Sequence, residues 1–265
     1  MNRHQAEGTP AVLVTGGAQR IGAAIVRQFH AHGFNVIIHC RHSIQAAEDL
    51  AADLQTQRPA SACVIQADLA AAGSQQVSDD GKHDQVISAL AERALNGFGR
   101  LDVLINNASS FYPTPIGQIT PAHWLDLMAS NARAPLFLSQ ALAGELQRRR
   151  GSIVNLTDMN ADRGMAGFSA YTMAKGALQV MTRSLARELA PAVRVNAVSP
   201  GAIMWPDHAS DPVTHAAEQA RILESIPLGH LGDPLDIART VFFLAWEASY
   251  VTGQVVRVDG GRSLG

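Results

Sequence analysis

The chain has 265 residues, of which 47% are hydrophobic and 17% are charged, which suits one large domain with a well-buried core. Its 21 basic residues nearly match its 23 acidic residues, so the formal net charge is only −2. This balance argues against a nucleic-acid or membrane-surface partner, and no apolar run approaches the ~20 residues that a membrane span needs.

The two cysteines, Cys40 and Cys63, lie in apolar, strand-like stretches without a C-x-x-C or mixed Cys/His spacing. We therefore expect buried packing residues, and neither a disulfide framework nor a metal site. The polar first ten residues lead directly into Ala-Val-Leu-Val, without the apolar stretch of a signal peptide. A cytoplasmic location is the resulting expectation.

Short, nearly continuous apolar runs alternate along the chain with longer helical stretches, as in strands that are covered on both faces. The runs predict strands at residues 11–15, 34–39, 62–66, 102–106, 152–156, 193–198 and 255–258. Helices are predicted at residues 20–32, 45–57, 84–97, 121–148, 169–190 and 234–247. This alternation predicts a single α/β domain over residues 1–265, with a doubly wound parallel sheet and helices on both faces.

Two segments interrupt the alternation. Residues 73–83 are polar and contain glycine, which indicates a surface loop. Residues 201–232, with a helical stretch at 213–225, are longer than a plain connection requires. Because excursions at the carboxyl edge of a parallel sheet usually cover a ligand, we expect a substrate-covering loop at about 201–232.

A glycine-rich turn, TGGAQRIG at residues 15–22, follows the first predicted strand and opens a helix. Such a turn lets the backbone approach a pyrophosphate, while the helix N-terminus offers unpaired N–H donors. The pattern predicts a nucleotide-phosphate site, with an ordinary strand-to-helix connection as the alternative. Its predicted contacts are Gly16, Arg20, Ile21 and Gly22.

The end of the second strand, HCRHS at residues 39–43, contains no acidic residue. Dinucleotide folds that prefer NAD usually place an acid there to bind the ribose 2′-hydroxyl. Arg41 can instead pair with a 2′-phosphate, unless it is merely a solvated arginine, and Ser43 can donate a hydrogen bond to the same group. NADP(H) is therefore favoured, with contacts from His39, Arg41, His42 and Ser43.

The next two strand ends carry Asp68 with Leu69, and Asn107 with Ala108. In a doubly wound sheet these positions are where adenine and ribose contacts fall. Asp68 can equally cap the following turn, so both interpretations of it stay open.

Tyr171 and Lys175 are four residues apart in a predicted helix, so their side chains share one face. A free tyrosine has a pKa near 10 and is a poor acid or base at neutral pH, whereas a nearby lysine cation favours the phenolate. The same ammonium can hold ribose hydroxyls. With Asp158, thirteen residues before the tyrosine, the pair predicts an acid/base centre.

These motifs resemble the short-chain dehydrogenase/reductase family along nearly the whole chain. The matching elements are T-G-x-x-x-x-x-G at 15–22, Asn106-Asn107-Ala108, Tyr171-x-x-x-Lys175 and Pro200-Gly201, in the family's order. The resemblance implies a Rossmann-type fold, hydride transfer from a nicotinamide, and commonly a homotetramer. It also implies cofactor-site roles for Asn107, Ala108, Ser109, Asn131, Tyr171, Lys175, Pro200 and Gly201, where Asn131 matches an asparagine that holds a water in the proton path.

Within the family the chain most resembles the pteridine reductases. Arg20 stands at the usual middle glycine, residues 107–113 (NASSFYP) resemble that subgroup's substrate loop, and Asp158 replaces the usual catalytic serine. The resemblance implies catalytic roles for Asp158, Tyr171 and Lys175. It implies substrate contacts from Arg20, Ser109, Phe111, Asp158 and Tyr171.

Position 158 also favours a pterin on chemical grounds. A serine hydroxyl can donate to a carbonyl oxygen, whereas an ionised aspartate only accepts, which suits a ring with N–H groups. Phe111 can stack on a flat heterocycle, or be a core aromatic under the loop. The loop after Gly201 and Cys40 both depart from the subgroup's pattern, which leaves the preferred pterin open. Trp205 is predicted to wall the substrate pocket or to pack within its loop.

The predicted function is NADPH-dependent reduction of dihydropterin, dihydrofolate or both to the tetrahydro form. A ketone or 3-oxoacyl reductase of the same fold is the first alternative, and its usual serine is absent at position 158. A non-catalytic NADP-binding sensor is the second, although such a protein has no need of an acid/base tyrosine.

Overall fold

The computed structural model describes residues 8–70, 85–205 and 212–265. Seven strands in these ranges form one fully parallel sheet in the order β3-β2-β1-β4-β5-β6-β7. The strands are β1 (Ala11–Val14), β2 (Asn35–Cys40), β3 (Ala62–Gln66), β4 (Val103–Asn106), β5 (Ser152–Leu156), β6 (Arg194–Pro200) and β7 (Val255–Val258). This is the predicted Rossmann-type doubly wound fold.

Helices cover both faces of the sheet. They are α1 (Arg20–Ala31), α2 (Ile44–Gln57), α3 (Gln85–Phe98), α4 (Pro121–Met128), α5 (Ala134–Arg149), α6 (Asn160–Arg163), α7 (Ser169–Glu188), α8 (Pro212–Glu224) and α9 (Pro234–Phe242). None of the helices in the described ranges is both long and apolar enough to cross a lipid bilayer.

Strand β1 shows why the fold forms. All four of its residues are buried, and successive side chains of a strand point to opposite faces. Val12 and Val14 pack into the core on the α1, α2 and α9 side, while Leu13 packs into the core on the α3 and α5 side. An unbroken apolar run is therefore required, and it confirms the interpretation of these runs as strands covered on both faces.

Strand β1 lies between β2 and β4, so the strand order reverses beside it. The connections to α1 and after β4 thus diverge and leave a crevice at the carboxyl edge, where doubly wound sheets bind ligands. Thr15, just after β1, donates its backbone N–H to the Ile105 carbonyl of β4 at 3.0 Å. The first and fourth strand ends are therefore directly joined at the predicted cofactor position.

Two segments predicted as long helices contain π-helical turns. The stretch predicted as 121–148 is α4, a π-turn at Ala129–Arg133, and α5, and the one predicted as 234–247 is α9 followed by a π-turn at Phe243–Glu247. Helix α6 was not predicted. The predicted surface loop at 73–83 lies outside the described residues. Cys40 is buried as predicted, whereas Cys63 is only half-buried.

Candidate active site

The turn between β1 and α1 is fastened to the end of β4. The Asn107 side-chain amide donates to the carbonyl oxygens of Thr15 and Gly16, both at 2.9 Å. The Thr15 hydroxyl accepts from the backbone N–H groups of Asn107 at 2.9 Å and Ala108 at 3.0 Å. Gly16 has a φ of +61°, and a Cβ at Gly22 would collide with the Gly16 carbonyl oxygen. This glycine-dependent cradle at a helix N-terminus fits the pyrophosphate of a dinucleotide.

The His39 side chain holds the backbone of this turn in place. Its ring is buried, its Nδ1 accepts from the Gly16 N–H at 3.1 Å, and its Nε2 contacts the Ala67 carbonyl at 3.1 Å. Both ring nitrogens are thus bonded to main chain, which requires a neutral ring protonated at Nε2. The predicted ligand contact of the His39 side chain is therefore revised to positioning of Gly16.

Burial lowers the pKa of His39 from 6.5 to about 4. A protonated ring would turn Nδ1 into a donor facing the Gly16 N–H, so the folded state resists protonation. Between pH 4 and 6.5 the unfolded chain binds more protons, so this contribution to stability is complete above pH 6.5 and falls with pH toward 4. The shift corresponds to about 3 kcal/mol.

Acid unfolding is the corresponding measurement. We expect the free energy of unfolding, from urea titrations between pH 7 and 4.5, to fall less steeply with pH in His39→Gln than in the unsubstituted protein. The glutamine can accept and donate at the same places but does not titrate. Equal slopes for the two proteins would contradict the assignment.

The acid/base centre lies at the ends of β5 and α7. The Tyr171 hydroxyl donates to Oδ2 of Asp158 at 2.8 Å, and Oδ1 of Asp158 accepts from the Asn160 N–H at 2.7 Å. Lys175 donates from Nζ to the Leu156 carbonyl at 2.9 Å, and its Nζ lies 5.8 Å from the centroid of the Tyr171 ring. Both Tyr171 and Lys175 are buried. The three predicted catalytic side chains therefore converge.

The electrostatics of the tyrosine are opposite to the sequence expectation. Burial, followed by the charge of Asp158 and the hydrogen bond to it, raises the pKa of Tyr171, and only the Ser109 hydroxyl lowers it. Burial also lowers the pKa of Lys175 from 10.5 to about 8, with Asp158 acting in the opposite direction. Tyr171 is thus held as a phenol with a proton to give, beside a lysine that is mostly charged at pH 7.

The loop after β4 is tied to the π-turn at Ala129–Arg133. Ser109 donates from Oγ to Oδ1 of Asn131 at 2.6 Å, and the Asn131 amide donates to the carbonyls of Ser110 at 2.9 Å and Leu127 at 3.0 Å. Asn131 is fully buried. π-Turns are common at functional sites. Here the π-turn places the Asn131 side chain against the loop that contains Ser109 and Ser110.

Phe111 lies at the mouth of this loop with 53% of its surface exposed, so the interpretation as a core aromatic was wrong. Its ring stacks on Phe168 with centroids 4.8 Å apart and 13° between the planes. It also meets Tyr171 edge to face at 4.8 Å. An exposed aromatic surface therefore adjoins the tyrosine hydroxyl.

The polar residues near the end of β2 differ in what they contact. Arg41 pairs through Nε with Oδ1 of Asp68 at 2.8 Å, and its Nη1 lies 3.9 Å from Asp126. Asp68 also accepts from the Ala70 N–H at 2.9 Å, so it does cap the following turn. Ser43 donates to the Gln19 side chain at 3.3 Å. Ser43 thus contacts the 15–22 turn, whereas the Arg41 guanidinium is placed by two carboxylates.

The remaining predicted contacts are less direct. His42 is exposed, and the Leu69 side chain is buried in the α3-side core, so only its backbone can line the site. Pro200 and Gly201 end β6, with the Gly201 N–H bonded to Val258 at 2.9 Å. Trp205 is half-buried and is the last described residue before residue 212.

A family model described as enoyl-(acyl carrier protein) reductase matches residues 16–263. The chain belongs to the short-chain dehydrogenase/reductase family. It is therefore an oxidoreductase fold with a nicotinamide cofactor site, as the cradle at the β1 end indicates.

The chain is similar to curated reductases over nearly its whole length. Pteridine reductase 1 of Leishmania tarentolae is 38% identical, covering 96% of each chain. A putative ketoacyl reductase 2 of granaticin polyketide synthase from Streptomyces violaceoruber is 33% identical over 96% of each chain. The 3-oxoacyl-(acyl-carrier-protein) reductase of Staphylococcus aureus is 32% identical over 96% of this chain and 98% of its own.

Arg20 stands where the family's pattern usually has a glycine. It has a φ of +52°, in the left-handed region that favours glycine, and its side chain is exposed at the first turn of α1. A non-glycine residue there is strained by about 1–2 kcal/mol. Because Arg150, far from this turn, has the same φ, the strain does not assign a role to Arg20, and its predicted binding role rests on its place at the turn.

Arg20→Gly is expected to raise the free energy of unfolding by about 0.5–1 kcal/mol, after the extra chain entropy of glycine is subtracted. The same change should raise KM for substrate. Arg150→Gly is the matched control, because Arg150 has the same φ of +52° after α5, remote from the β1 turn. Urea unfolding and KM measured on all three proteins test this, and an unchanged KM in Arg20→Gly would contradict the binding role.

Sequence reasoning missed two groups in the site. Phe168 covers one face of Phe111, and the Asn160 N–H holds the second oxygen of Asp158. Phe168 immediately precedes α7 and lies three residues before Tyr171, so its closeness to the tyrosine was visible in the sequence. The Asn160 N–H is a backbone group and has no signal in residue types.

Proposed function

We propose that this short-chain dehydrogenase is an NADPH-dependent pteridine reductase, which reduces dihydropterin, dihydrofolate or both to the tetrahydro form. The observation that carries the proposal is the 2.8 Å hydrogen bond from Tyr171 to Asp158, at a position where most of the family has serine. An identity of 38% to a protein named pteridine reductase 1 supports it.

The proposal assigns each part of the cofactor to groups around the crevice. The 15–22 turn and the N-terminus of α1 would hold the pyrophosphate, Arg41 and Ser43 the 2′-phosphate, and Lys175 the nicotinamide ribose. Asn107 and Ala108 border the same crevice. When bound, a reduced nicotinamide supplies the hydride.

Proton delivery follows from the geometry of Tyr171. Its hydroxyl proton points to Asp158, and the raised pKa keeps that proton on the oxygen until a basic ring nitrogen replaces the carboxylate as acceptor. The buried Lys175 cation then stabilises the phenolate that remains, since its ammonium lies on the same helical side. Asp158 accepts from ring N–H groups and can pass a proton between substrate and tyrosine.

The exposed face of Phe111 suits a flat heterocycle. Stacked arrangements of aromatic rings at such distances contribute about 0.5–1.5 kcal/mol beyond area burial. Phe168 behind Phe111 and the edge contact with Tyr171 fix the ring in place. A substrate ring on this surface would lie next to the proton donor.

A substrate panel tests the function. Purified protein with NADPH should lose absorbance at 340 nm when given 7,8-dihydrobiopterin, dihydromonapterin or dihydrofolate. The relatives named as ketoacyl and 3-oxoacyl reductases define the competing outcome. Turnover of a 3-oxoacyl thioester without turnover of any pterin would overturn the proposal.

The oligomeric state and location complete the proposal: a homotetramer in a reducing cytoplasm. Apolar side chains on α5 and α7 are exposed in the single chain, among them Leu136 at 40%, Met173 at 56% and Val180 at 59%. Exposed apolar side chains of this kind are compatible with burial at a subunit interface.

Arg41→Ala is expected to raise KM for NADPH by about tenfold or more and to leave KM for NADH nearly unchanged, because only NADPH has the 2′-phosphate that the guanidinium pairs with. Arg27→Ala is the control, since Arg27 is also an exposed arginine in an ion pair, with Asp53. KM for NADPH and for NADH is obtained from initial rates at varied concentrations of each cofactor. Equal effects on both cofactors would mean that Arg41 does not read the phosphate.

A further inference from the structure

Three arginines lie on separate segments of the chain that hydrogen bonds bring together near its C-terminal end. Arg163 ends the short helix α6, which begins two residues after Asp158. Arg262 lies in the 3-10 turn Arg262–Leu264 near the end of the chain, and Arg221 lies on α8. Arg163 contacts the backbone of Arg262, and the Arg262 side chain contacts Ser225, four residues after Arg221.

Hydrogen bonds to neutral groups hold this arginine cluster together. Arg163 donates from Nη1 to the Arg262 carbonyl at 2.6 Å, and Arg262 donates from Nε to the Ser225 hydroxyl at 2.9 Å. Ser225 follows α8, one helical turn after Arg221. The C-terminal turn, α6 and α8 are thereby joined at the rim of the site.

The nearby carboxylates are already engaged elsewhere. Asp158 accepts from Tyr171 and Asn160, and Asp162 pairs with Arg257 at 2.9 Å. Asp259 accepts from the backbone N–H groups of Gly261 at 2.9 Å and Ser263 at 3.0 Å. Within residues 8–70, 85–205 and 212–265, arginines other than Arg163, Arg221 and Arg262 form the ion pairs with carboxylates.

The cluster therefore has an excess of positive charge. Burial and the like charge of Arg163 lower the pKa of Arg262, with Arg221 acting in the same direction and the two aspartates, Asp158 and Asp259, opposing. Like charges held within reach of one another are unfavourable until an anion lies between them.

We propose that Arg163, Arg221 and Arg262 form an anion subsite at the rim of the substrate site, which binds a phosphate monoester or carboxylate carried on the side chain of the reduced pterin. The inference rests on the proposed function and adds to it the charge of the preferred substrate. Guanidinium groups present paired N–H donors that match both oxyanions. An uncharged side chain would leave the repulsion among the arginines in place.

The test compares three substrates: 7,8-dihydrobiopterin, a dihydropterin with a phosphate monoester on its side chain, and dihydrofolate. We expect Arg262→Gln and Arg221→Gln each to raise the ratio of KM for an anionic substrate to KM for dihydrobiopterin by about tenfold, with kcat for the anionic substrate preserved. Arg262→Lys should recover part of the loss. Arg239→Gln, on α9, is the matched control from an exposed arginine outside the cluster.

The substrate arms separate the sources of the anion. A change confined to the phosphate ester assigns the subsite to phosphate, and one confined to dihydrofolate assigns it to carboxylate. Equal ratios in all variants, with every pterin still reduced, overturn the subsite alone. Absence of turnover with every pterin overturns the proposed function and the subsite with it. Arg221→Gln, an exposed position, keeps the test decisive if Arg262→Gln does not fold.

Discussion

Replacement of Tyr171 by phenylalanine is expected to lower kcat for dihydropterin reduction by about 10³-fold, within the range that a positioned acid contributes. The phenyl ring keeps the edge contact with Phe111 at 4.8 Å and loses only the hydroxyl that donates to Asp158. No other hydroxyl in the described site has both a buried position and a bond to that carboxylate.

Cofactor binding separates a chemical role of Tyr171 from a structural one. The turn at 15–22 and the Arg41 region are on other elements, so NADPH affinity, measured by quenching of protein fluorescence, should change little in Tyr171→Phe. Tyr250→Phe is the control, because Tyr250 is fully exposed. Unchanged kcat in Tyr171→Phe would remove the tyrosine from the mechanism.

The sheet was predictable because its strands are buried on both faces. A run such as Ala11–Val14 divides its side chains between two cores, so it must be apolar throughout and is visible in sequence. Strand β6 extends to Pro200, two residues beyond the predicted end at 198, since a polar Ser199 at the carboxyl edge hides the last pairs.

The π-turns were not predictable, because the residues of a π-turn have the same helical propensities as their neighbours. Residues 121–148 therefore resemble one helix in sequence, and the break at Ala129–Arg133 depends on tertiary contacts of Asn131 with the Ser109–Ser110 loop. A pairing between residues more than twenty positions apart leaves no local pattern.

The closeness of Asp158, Tyr171 and Lys175 was predictable, but their electrostatics were not. Spacing placed Tyr171 and Lys175 together, yet it could not show that burial and Asp158 raise the tyrosine pKa. His39 was expected at the ligand because of its position after a strand, and only the structure shows both ring nitrogens bonded to main chain. Burial and hydrogen-bond partners decide such roles, and neither is encoded in residue type alone.

Under the proposed function Asp158 takes part in proton transfer to the pterin, so its replacement has the second large expected effect. Asp158→Asn keeps the shape but has one acceptor oxygen for two donors, the Tyr171 hydroxyl and the Asn160 N–H. It also cannot carry a proton. We expect kcat for dihydropterin to fall by about 10²-fold in Asp158→Asn. In Asp158→Ser kcat should fall at least as far, because a serine hydroxyl does not reach both donors.

The pH profile distinguishes loss of this carboxylate from a general disturbance. The charge of Asp158 raises the pKa of Tyr171 and of Lys175, so its removal lowers both, and the alkaline limb of the kcat profile should move to lower pH. In the unsubstituted protein that limb is expected near pH 8, where Lys175 loses its proton. Asp162→Asn is the control, since Asp162 lies on the adjoining α6 but pairs with Arg257 instead. A reduced kcat with an unmoved alkaline limb in Asp158→Asn would show that Asp158 acts only by packing, and a pterin rate preserved in Asp158→Ser would return the substrate to the ketone class.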